Sequence, residues 1–351
     1  MILSGQILVS AFAHLLLFLR LVWERASHEL VSPFADLSIF SLCFALLVAV
    51  VWSARGRRRK IRVLLRGMFP RYWLSGPSAR ADWGFALFNR FVAGSLVAWA
   101  ILSSSTISQF LGLWLTDHFG PAQAGPAPGW LTTLVATVAL YLAYELAYFI
   151  SHYLSHRVEL LWHFHRVHHL AETLSPLTNN RVHPVDSILL YNFIGVFTGA
   201  TMAMLGYFLP SAKAVDLDGT NALLILALYL LTHLQHSHIW LPLTGWTGRI
   251  VMSPAHHQIH HSDDPAHYNC NFGNSLALFD WLAQTLVAPK FIRQRLKFGA
   301  GAYAVDPHTV YGGLIQPFVE AFWSVVRLMR LAKPGQTISV TAARAEISVA
   351  V

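Results

Sequence analysis

The stretch WLTTLVATVALYLAYELAYFISHYLSH, residues 130–156, joins a long apolar run to two histidines. The run from 130 to 150 has about the 20 residues that an α-helix needs to cross a hydrocarbon core of about 30 Å. At about 1.5 Å per residue, a helix that begins at Trp130 carries His152 about 33 Å away, to the opposite membrane surface. His152 and His156 are four residues apart and share one helical face. The stretch therefore predicts a spanning helix whose end presents two imidazoles.

The composition of the whole chain supports a membrane protein. Of its 351 residues, 55% are hydrophobic and 12% are charged, which is too few charges to cover a soluble globule of this size. Further apolar runs occupy residues 3–19, 36–53, 86–104, 187–210 and 221–237. We predict an all-α integral membrane protein with four to six transmembrane helices. The first run lacks a basic leader and a small-residue cleavage site, so we expect a retained helix and not a signal peptide.

The distribution of basic residues predicts the orientation in the membrane. The net charge is +8, and the run RGRRRKIR, residues 55–62, directly follows the second apolar run. The positive-inside rule explains this run better than nucleic-acid binding does, and it places the run on the cytoplasmic side. The Gly- and Pro-rich segment 119–130 is then a turn on the outside. Counting spans from there brings His152, His233 and His236 to the cytoplasmic face.

The histidines are concentrated in one part of the chain. Fifteen of the 19 lie between His152 and His267, so they are not scattered by chance over the surface. The segments HRVHH, residues 165–169, and HQIHH, residues 257–261, share one spacing that places three imidazoles on one side of a helix. Ser253 is a plausible N-cap and Pro254 a plausible first helical residue, which predicts a helix start just before the second segment.

Metal coordination is the chemistry that such clusters favour. Neutral imidazole is the commonest protein ligand for metals, and eight or more candidates exceed what one tetrahedral zinc ion can use, so two metals are expected. Imidazole suits iron, copper, nickel and zinc alike, and the chain has no Glu-x-x-His motif of the carboxylate-bridged di-iron bundles. The residues by themselves leave the metal open.

Six motifs occur in an order and spacing that resemble a known family. They are HxxxH (152–156), HxxHH (165–169), NNRVHP (179–184), LQHSHIWLP (234–242), PAHHQIHH (254–261) and NFGNSLALFDWL (271–282). Over roughly residues 135–290 the chain resembles the fatty acid hydroxylase superfamily, also called the sterol desaturase family. Its members are integral membrane, non-haem di-iron oxygenases that hydroxylate or desaturate lipids. The resemblance therefore implies two iron ions, with O2 as co-substrate.

The resemblance also implies roles for individual residues. The implied metal ligands are His152, His156, His165, His168, His169, His183, His236, His257, His260 and His261. We expect Glu145, seven residues before His152, and His238 to orient these ligands without binding the metal themselves. We expect no catalytic residue apart from the ligands. Four histidines do not match the repeated spacing and are expected to lie outside the site: His163, His233, His256 and His267.

The source of electrons is expected to be a separate protein. The chain has no GxGxxG fingerprint and only two cysteines, Cys43 and Cys270, so it carries neither a dinucleotide site nor a ferredoxin-type cluster. A ferredoxin or cytochrome is the expected donor, and the basic surface near Arg55 to Arg66 could dock it.

These expectations divide the chain into three parts. Residues 1–134 form N-terminal helices with the basic loop, residues 135–290 the catalytic domain, and residues 291–351 an amphipathic segment with a loose tail. The predicted reaction is hydroxylation of a membrane lipid such as a fatty acyl chain or sterol, and desaturation on the same site is the alternative. A non-catalytic zinc-binding protein and a metal transporter are alternatives of another class, although transporter sites typically lie near the bilayer midplane.

Overall fold

The computed structural model describes residues 2–35, 37–55, 61–122, 128–301 and 305–331. Nearly all of the regular structure there is helical, which confirms the predicted all-α fold class. One two-stranded antiparallel sheet is present in these ranges, formed by β1 (Asp216–Leu217) and β2 (Thr220–Asn221). Residues 56–60 of the predicted basic loop and the tail after Leu331 lie outside the described residues.

The helices fall into an N-terminal and a C-terminal series. The N-terminal series consists of α1 (Ile2–Val31), α2 (Ile39–Ala54), α3 (Ile61–Met68), α4 (Pro77–Phe88), α5 (Gly94–Val97) and α6 (Ser104–Phe119). The C-terminal series consists of α7 (Gly129–Arg157), α8 (Glu159–His169), α9 (Pro184–Phe208), α10 (Ala222–Ala227), α11 (His233–Gln235), α12 (Gly245–Ile250), α13 (Pro254–His260), α14 (Leu278–Ala283) and α15 (Gln316–Leu331). Turns of π-helix lie at Asn89–Ala93, Leu228–Thr232 and Tyr311–Ile315.

Three helical segments in the described ranges are long and apolar enough to cross a membrane: Pro77–Phe119, Gly129–Arg157 and Pro184–Phe208. They contain three of the predicted apolar runs. Two shorter apolar helices, Ile39–Ala54 and Ala222–Gln235, correspond to two more. The run 3–19 lies in α1, where the side chains before Leu16 are outside the described part of the chain. The chain is therefore a membrane protein by these helices, and the side on which each loop lies stays a prediction.

The directions of the long helices bring the histidines to one end of the bundle. Helix α7 has 29 residues, which is about 44 Å and longer than the hydrocarbon core. Helix α9 packs along α7 and begins at the end where α7 finishes. The segment Ala222–Gln235 returns to this end as well. The C-terminus of α7, the N-terminus of α9 and the C-terminus of α11 therefore meet there, and α8 and α13 lie between them.

The segment Pro77–Phe119 contains a break in the helix, and a residue of α9 hydrogen-bonds to the backbone groups at this break. The helix stops at Ile101 and restarts at Ser104, which leaves backbone groups without helical partners. Asn192 supplies them: its Nδ2 donates to the Ala100 carbonyl at 2.9 Å, and its Oδ1 accepts from the Leu102 amide at 3.0 Å. A break at membrane depth is tolerated where another helix satisfies the freed groups.

The close approach that this contact needs depends on glycine. A Cβ added at Gly195 would lie 2.3 Å from the Leu102 carbonyl oxygen, and one added at Gly199 would lie 2.6 Å from the Ser104 carbonyl oxygen. Both obstacles are backbone atoms, so no side chain can move aside. Small residues at helix crossings in membranes allow this kind of backbone contact.

We predict that Gly195→Ala lowers the stability of the protein by about 1–3 kcal/mol, because the new methyl group forces α9 away from the break. The measurement is thermal unfolding of the detergent-purified protein. Gly206→Ala is the matched control, since Gly206 lies in the same helix and a Cβ there has no atom within 4 Å. The control should unfold at the wild-type temperature or slightly above it; an equal loss in both variants would contradict the role of close packing.

Candidate metal centre

Two groups of histidine nitrogens lie side by side at the end of the helix bundle. One group contains His152, His156, His165, His169 and His260, and the other contains His168, His236, His257 and His261. Within each group the candidate ligand atoms all lie within 4.8 Å of one another. The structure thus brings together nine of the ten predicted ligands, and the repeated HxxHH segments contribute to both groups.

The short helices α8 and α13 orient their histidine rings toward the other rings of the two groups. Val158 separates α7 from α8, so the two helices meet at an angle and the face of α8 turns back toward His152 and His156. Helix α13 begins as the sequence predicted. Ser253 is its N-cap and Pro254 its first residue, and a capping box uses the His256 ring, whose Nδ1 accepts hydrogen bonds from the Ser253 amide and hydroxyl at 3.2 and 2.7 Å. His256 is consequently occupied as a cap.

Burial keeps the site histidines outside the spans neutral. Burial lowers the pKa of His236 and of His260 to about 3, and it holds the pKa values of His168 and His257 well below the ordinary range. Neighbouring imidazoles add to the effect because each protonated ring would repel the others. Metals bind the neutral imidazole, so these rings carry an available lone pair at neutral pH.

Hydrogen bonds from Nδ1 fix the orientation of several rings in the first group. His152 Nδ1 donates to the Phe272 carbonyl at 2.8 Å, His260 Nδ1 donates to the Cys270 carbonyl at 2.7 Å, and His165 Nδ1 donates to Asp186 at 2.9 Å. With Nδ1 protonated, Nε2 is the nitrogen that can bind a metal. The Nε2 atoms of His152, His156 and His260 are buried and have no hydrogen-bond partner among the described residues.

In the second group the nitrogens converge on a single point. His236 Nε2 lies 3.0 Å from His257 Nε2 and 3.1 Å from the Nε2 atoms of His168 and His261. One proton on each ring cannot serve all of these contacts. Nitrogens that share one metal ion at bond lengths of about 2.1 Å lie about 3.0–3.4 Å apart for bond angles between a right angle and the tetrahedral angle. The donor set therefore fits a metal ion in each group.

The comparison with protein families agrees with this geometry. The fatty acid hydroxylase family model matches residues 137–285. Residues 137–285 form a fatty acid hydroxylase domain. This places the domain in the superfamily of histidine-rich membrane di-iron oxygenases and confirms the resemblance carried by the motifs. Comparisons with curated proteins and with solved structures gave no match.

Glu145 of the hydroxylase domain supports the site through a loop and not by touching a histidine. Its buried carboxylate accepts hydrogen bonds from Asn274 Nδ2, from the Ser275 amide and hydroxyl and from the Leu276 amide, at 2.5–2.9 Å. The same loop contains Phe272, whose carbonyl orients His152. Glu145 therefore acts on the histidines indirectly, because its carboxylate fixes the loop whose Phe272 carbonyl orients His152.

Two further acidic residues, which the sequence reasoning missed, take part in the support. Asp280 accepts from the Phe272 and Gly273 amides at 2.8 and 2.7 Å and clamps the other side of the loop. Asp186 binds His165 from the first turn of α9. Asp280 lies inside the NFGNSLALFDWL motif, and Asp186 follows the NNRVHP motif by two residues. Their proximity to these motifs could have identified both residues from the sequence.

The structure places His183 and His238 outside both groups, with other hydrogen-bond partners. His183 is the N-cap of α9: its Nδ1 accepts from the Val185 amide and its Nε2 donates to the Leu314 carbonyl, both at 3.2 Å, so neither nitrogen is available. His238 donates from Nε2 to the Gly67 carbonyl at 2.7 Å, so it ties α3 to the domain and does not support a ligand.

The histidines expected to lie outside the site are also outside both groups. His163 contacts the Ser324 hydroxyl on α15 at 2.7 Å, and His233 contacts the Ser41 hydroxyl on α2 at 3.1 Å. His256 is the cap described above, and His267 ends a short 3₁₀ turn. The rings of His163 and His233 thus contact helices outside the hydroxylase domain.

Arg181 links the site to the N-terminal helices. Its side chain is fully buried, donates from Nε to the Val167 carbonyl at 3.0 Å and pairs with Asp82 of α4 at 3.2 Å. The Arg181 carbonyl in turn accepts a 3.3 Å contact from His168 Nδ1. A buried pair of this kind is costly to break, because the remaining charge has no water to solvate it.

We predict that Glu145→Gln weakens metal binding about 10–100-fold, because an amide cannot accept all of the loop's hydrogen bonds and the Phe272 carbonyl then loses its position. The measurement is the metal content per chain after dialysis against a graded chelator. Glu24→Gln, at an exposed carboxylate on α1, is the control and should retain metal like the wild type. Unchanged metal retention in Glu145→Gln would contradict the positioning role of the loop.

Proposed function

We propose that the protein is a di-iron oxygenase that uses O2 to hydroxylate a C–H bond of a membrane lipid, such as a fatty acyl chain or a sterol. The observation that carries the proposal is the pair of buried imidazole groups inside a fatty acid hydroxylase domain. The groups lie where apolar helices end, so a substrate dissolved in the bilayer can approach them.

The reaction explains why a redox metal pair is required. Two iron ions held by these histidines would accept electrons and activate O2 for attack on an unactivated C–H bond. Iron is proposed because the family uses it, since imidazole binds several metals equally well. The protein contributes rigidity: the carbonyls of Phe272 and Cys270 and the Asp186 carboxylate hold the rings in place.

The protein also controls what reaches the metals. Eight of the nine grouped histidines are buried and His156 is partly buried, and Phe272, which is fully buried, packs edge-on against the His152 ring. Apolar packing of this kind around the reacting centre would help to protect a strong oxidant from side reactions. Hydroxylation and desaturation share the initial hydrogen abstraction, so desaturation on the same site is the alternative outcome, and the products distinguish the two.

A separate redox protein is proposed as the electron donor. Helix α3 carries the exposed Arg62 and Arg66, and it lies beside the site because its Gly67 carbonyl accepts a hydrogen bond from His238, two residues after His236. An acidic ferredoxin or cytochrome that binds this basic helix would approach the second histidine group. The cytoplasm, where such donors are reduced, is accordingly the proposed side for the site.

The test of the function is metal analysis combined with O2 consumption. We expect purified protein to contain two iron ions per chain and to consume O2 only when a lipid substrate and a reductant are both present, with an oxygenated lipid as the product by mass spectrometry. Zinc alone without turnover would support the non-catalytic alternative, and metal-dependent flux across vesicles would support a transporter; either result would overturn the proposal.

Two matched variants assign the activity to the histidine groups. His260→Ala should abolish O2 consumption and lower the iron content, because His260 belongs to the first group. His163→Ala should keep most of both, because His163 contacts Ser324 and lies outside the groups. Equal losses in the two variants would contradict the division into ligands and bystanders.

We predict that Arg66→Glu raises the KM for an acidic ferredoxin several-fold and weakens its dependence on salt, with little change in iron content, because a docking charge acts mainly on association. Lys213→Glu is the control, since Lys213 follows the end of α9 that is remote from the site. Donor-supported turnover is the measurement, and an unchanged KM in Arg66→Glu would remove α3 as the docking surface.

A further inference from the structure

A cavity connects the candidate membrane spans with the histidines. Its volume is about 470 Å³, within the range of lipid-sized and drug-sized ligand sites, and it reaches His152, His165 and His168. Its lining combines polar and charged side chains with apolar ones, and the apolar ones include Val97, Leu190, Leu224, Ile225 and Leu228. A hydrocarbon chain can therefore enter between the helices with one end directed at the site.

Two asparagines line this cavity close to the histidines. Asn89 lies in the first π-helical turn, and Asn180 directly precedes Arg181, whose carbonyl contacts His168. Asn89 Nδ2 donates to the carbonyls of Asn180 and Val182, both at 2.8 Å. These two bonds fix the orientation of the Asn89 carboxamide. If its oxygen and nitrogen were exchanged, Oδ1 would face the carbonyl oxygens of Asn180 and Val182, which are also acceptors.

One atom of each asparagine is left without a partner. Asn89 Oδ1 and Asn180 Nδ2 are both buried, and neither has a hydrogen-bond partner among the described residues. Buried polar atoms are nearly always paired, so an unpaired acceptor and an unpaired donor on neighbouring residues indicate a site for a ligand that offers both.

Two ion pairs lie at this end of the cavity. Arg90, the neighbour of Asn89, pairs with Glu29 at 3.1 Å, and Asp186 pairs with His165 at 2.9 Å. Arg25 also lines the cavity and is exposed. The preference for a neutral polar group over a carboxylate therefore rests on Asn89 Oδ1, which a carboxylate would face with a second acceptor.

We propose that Asn89 and Asn180 recognise a hydroxyl group of the lipid, an inference that rests on the proposed function in taking the cavity as the substrate site. The hydroxyl donates to Asn89 Oδ1 and accepts from Asn180 Nδ2. An ether offers only an acceptor, a hydrocarbon offers nothing, and a carboxylate presents only acceptors, which oppose Asn89 Oδ1. The substrate class is thus an alcohol-bearing lipid.

The position of the asparagines also restricts where the lipid is oxidised. Asn180 is adjacent to the residue that contacts His168, so a hydroxyl held there lies beside the metal ligands. Oxidation is accordingly expected in the part of the lipid that lies nearer to the hydroxyl than to the other end of the chain.

The experiment compares four ligands of equal chain length on the full-length protein in nanodiscs: 1-hexadecanol, its methyl ether, hexadecane and hexadecanoate. Each displaces a fluorescent long-chain alcohol from the protein. We expect 1-hexadecanol to bind at least about tenfold more tightly than each of the other three, because only it satisfies both asparagines. Equal affinities, or tighter binding of hexadecanoate, would overturn the proposal without the need for any variant.

Variants then assign the preference to the asparagines. Asn180→Leu removes the donor at nearly constant size and should reduce the preference for the alcohol over the ether and the hydrocarbon to less than about threefold. Asn179→Leu is the matched control, because Asn179 also lines the cavity but leaves no buried side-chain atom unpaired in the described ranges, and it should keep the wild-type ratio. An unchanged ratio in Asn180→Leu would overturn the assignment.

The binding measurement separates this inference from the proposed function. A protein that discriminates the alcohol but consumes no O2 with iron and reductant would contradict the oxygenase and leave the hydroxyl site intact. A protein that oxidises lipids but binds all four ligands equally would contradict the hydroxyl site and leave the oxygenase intact.

Discussion

Neutral imidazole nitrogens packed a few ångströms apart in a buried space determine most of what surrounds them. Each ring must direct a lone pair to the centre, so its other nitrogen needs an acceptor behind it. The carbonyls of Phe272 and Cys270 and the carboxylate of Asp186 supply the acceptors for His152, His260 and His165. A metal ion is the natural partner for the converging lone pairs, because no arrangement of single protons satisfies the contacts around His236.

The acceptors are held by a second set of buried charges. Glu145 and Asp280 clamp the loop of Phe272 from two sides, and the Arg181–Asp82 pair fastens the segment behind His168 to α4. Buried charges are weak sources of stability but costly to separate, so they specify one arrangement of the elements that carry them. Helix α4 therefore supports the candidate metal centre, although the N-terminal helices supply none of the nine grouped histidines.

The same helices shape the approach to the site. The break after Ile101 is stabilised by Asn192, and the π-helical turns at Asn89–Ala93 and Leu228–Thr232 both contribute to the wall of the cavity. Turns of π-helix often occur at functional sites, because the extra residue changes the direction of a side chain. The result is a cavity with polar and apolar walls that reaches the histidines, and two unpaired amide atoms belong to residues of its lining.

The sequence by itself determined the membrane class, the all-α fold and the nine grouped histidines, because apolar length and the HxxxH and HxxHH spacings are local properties of a helix. It also predicted the start of α13 at Ser253. Only the tertiary structure decided which rings form which group. It also showed that His183 is the N-cap of α9 and that His238 hydrogen-bonds to Gly67 of α3. Spacing fixes the face of a helix but not what lies opposite to it, and the partners of Glu145, about 130 residues away along the chain, depend entirely on how the helices pack.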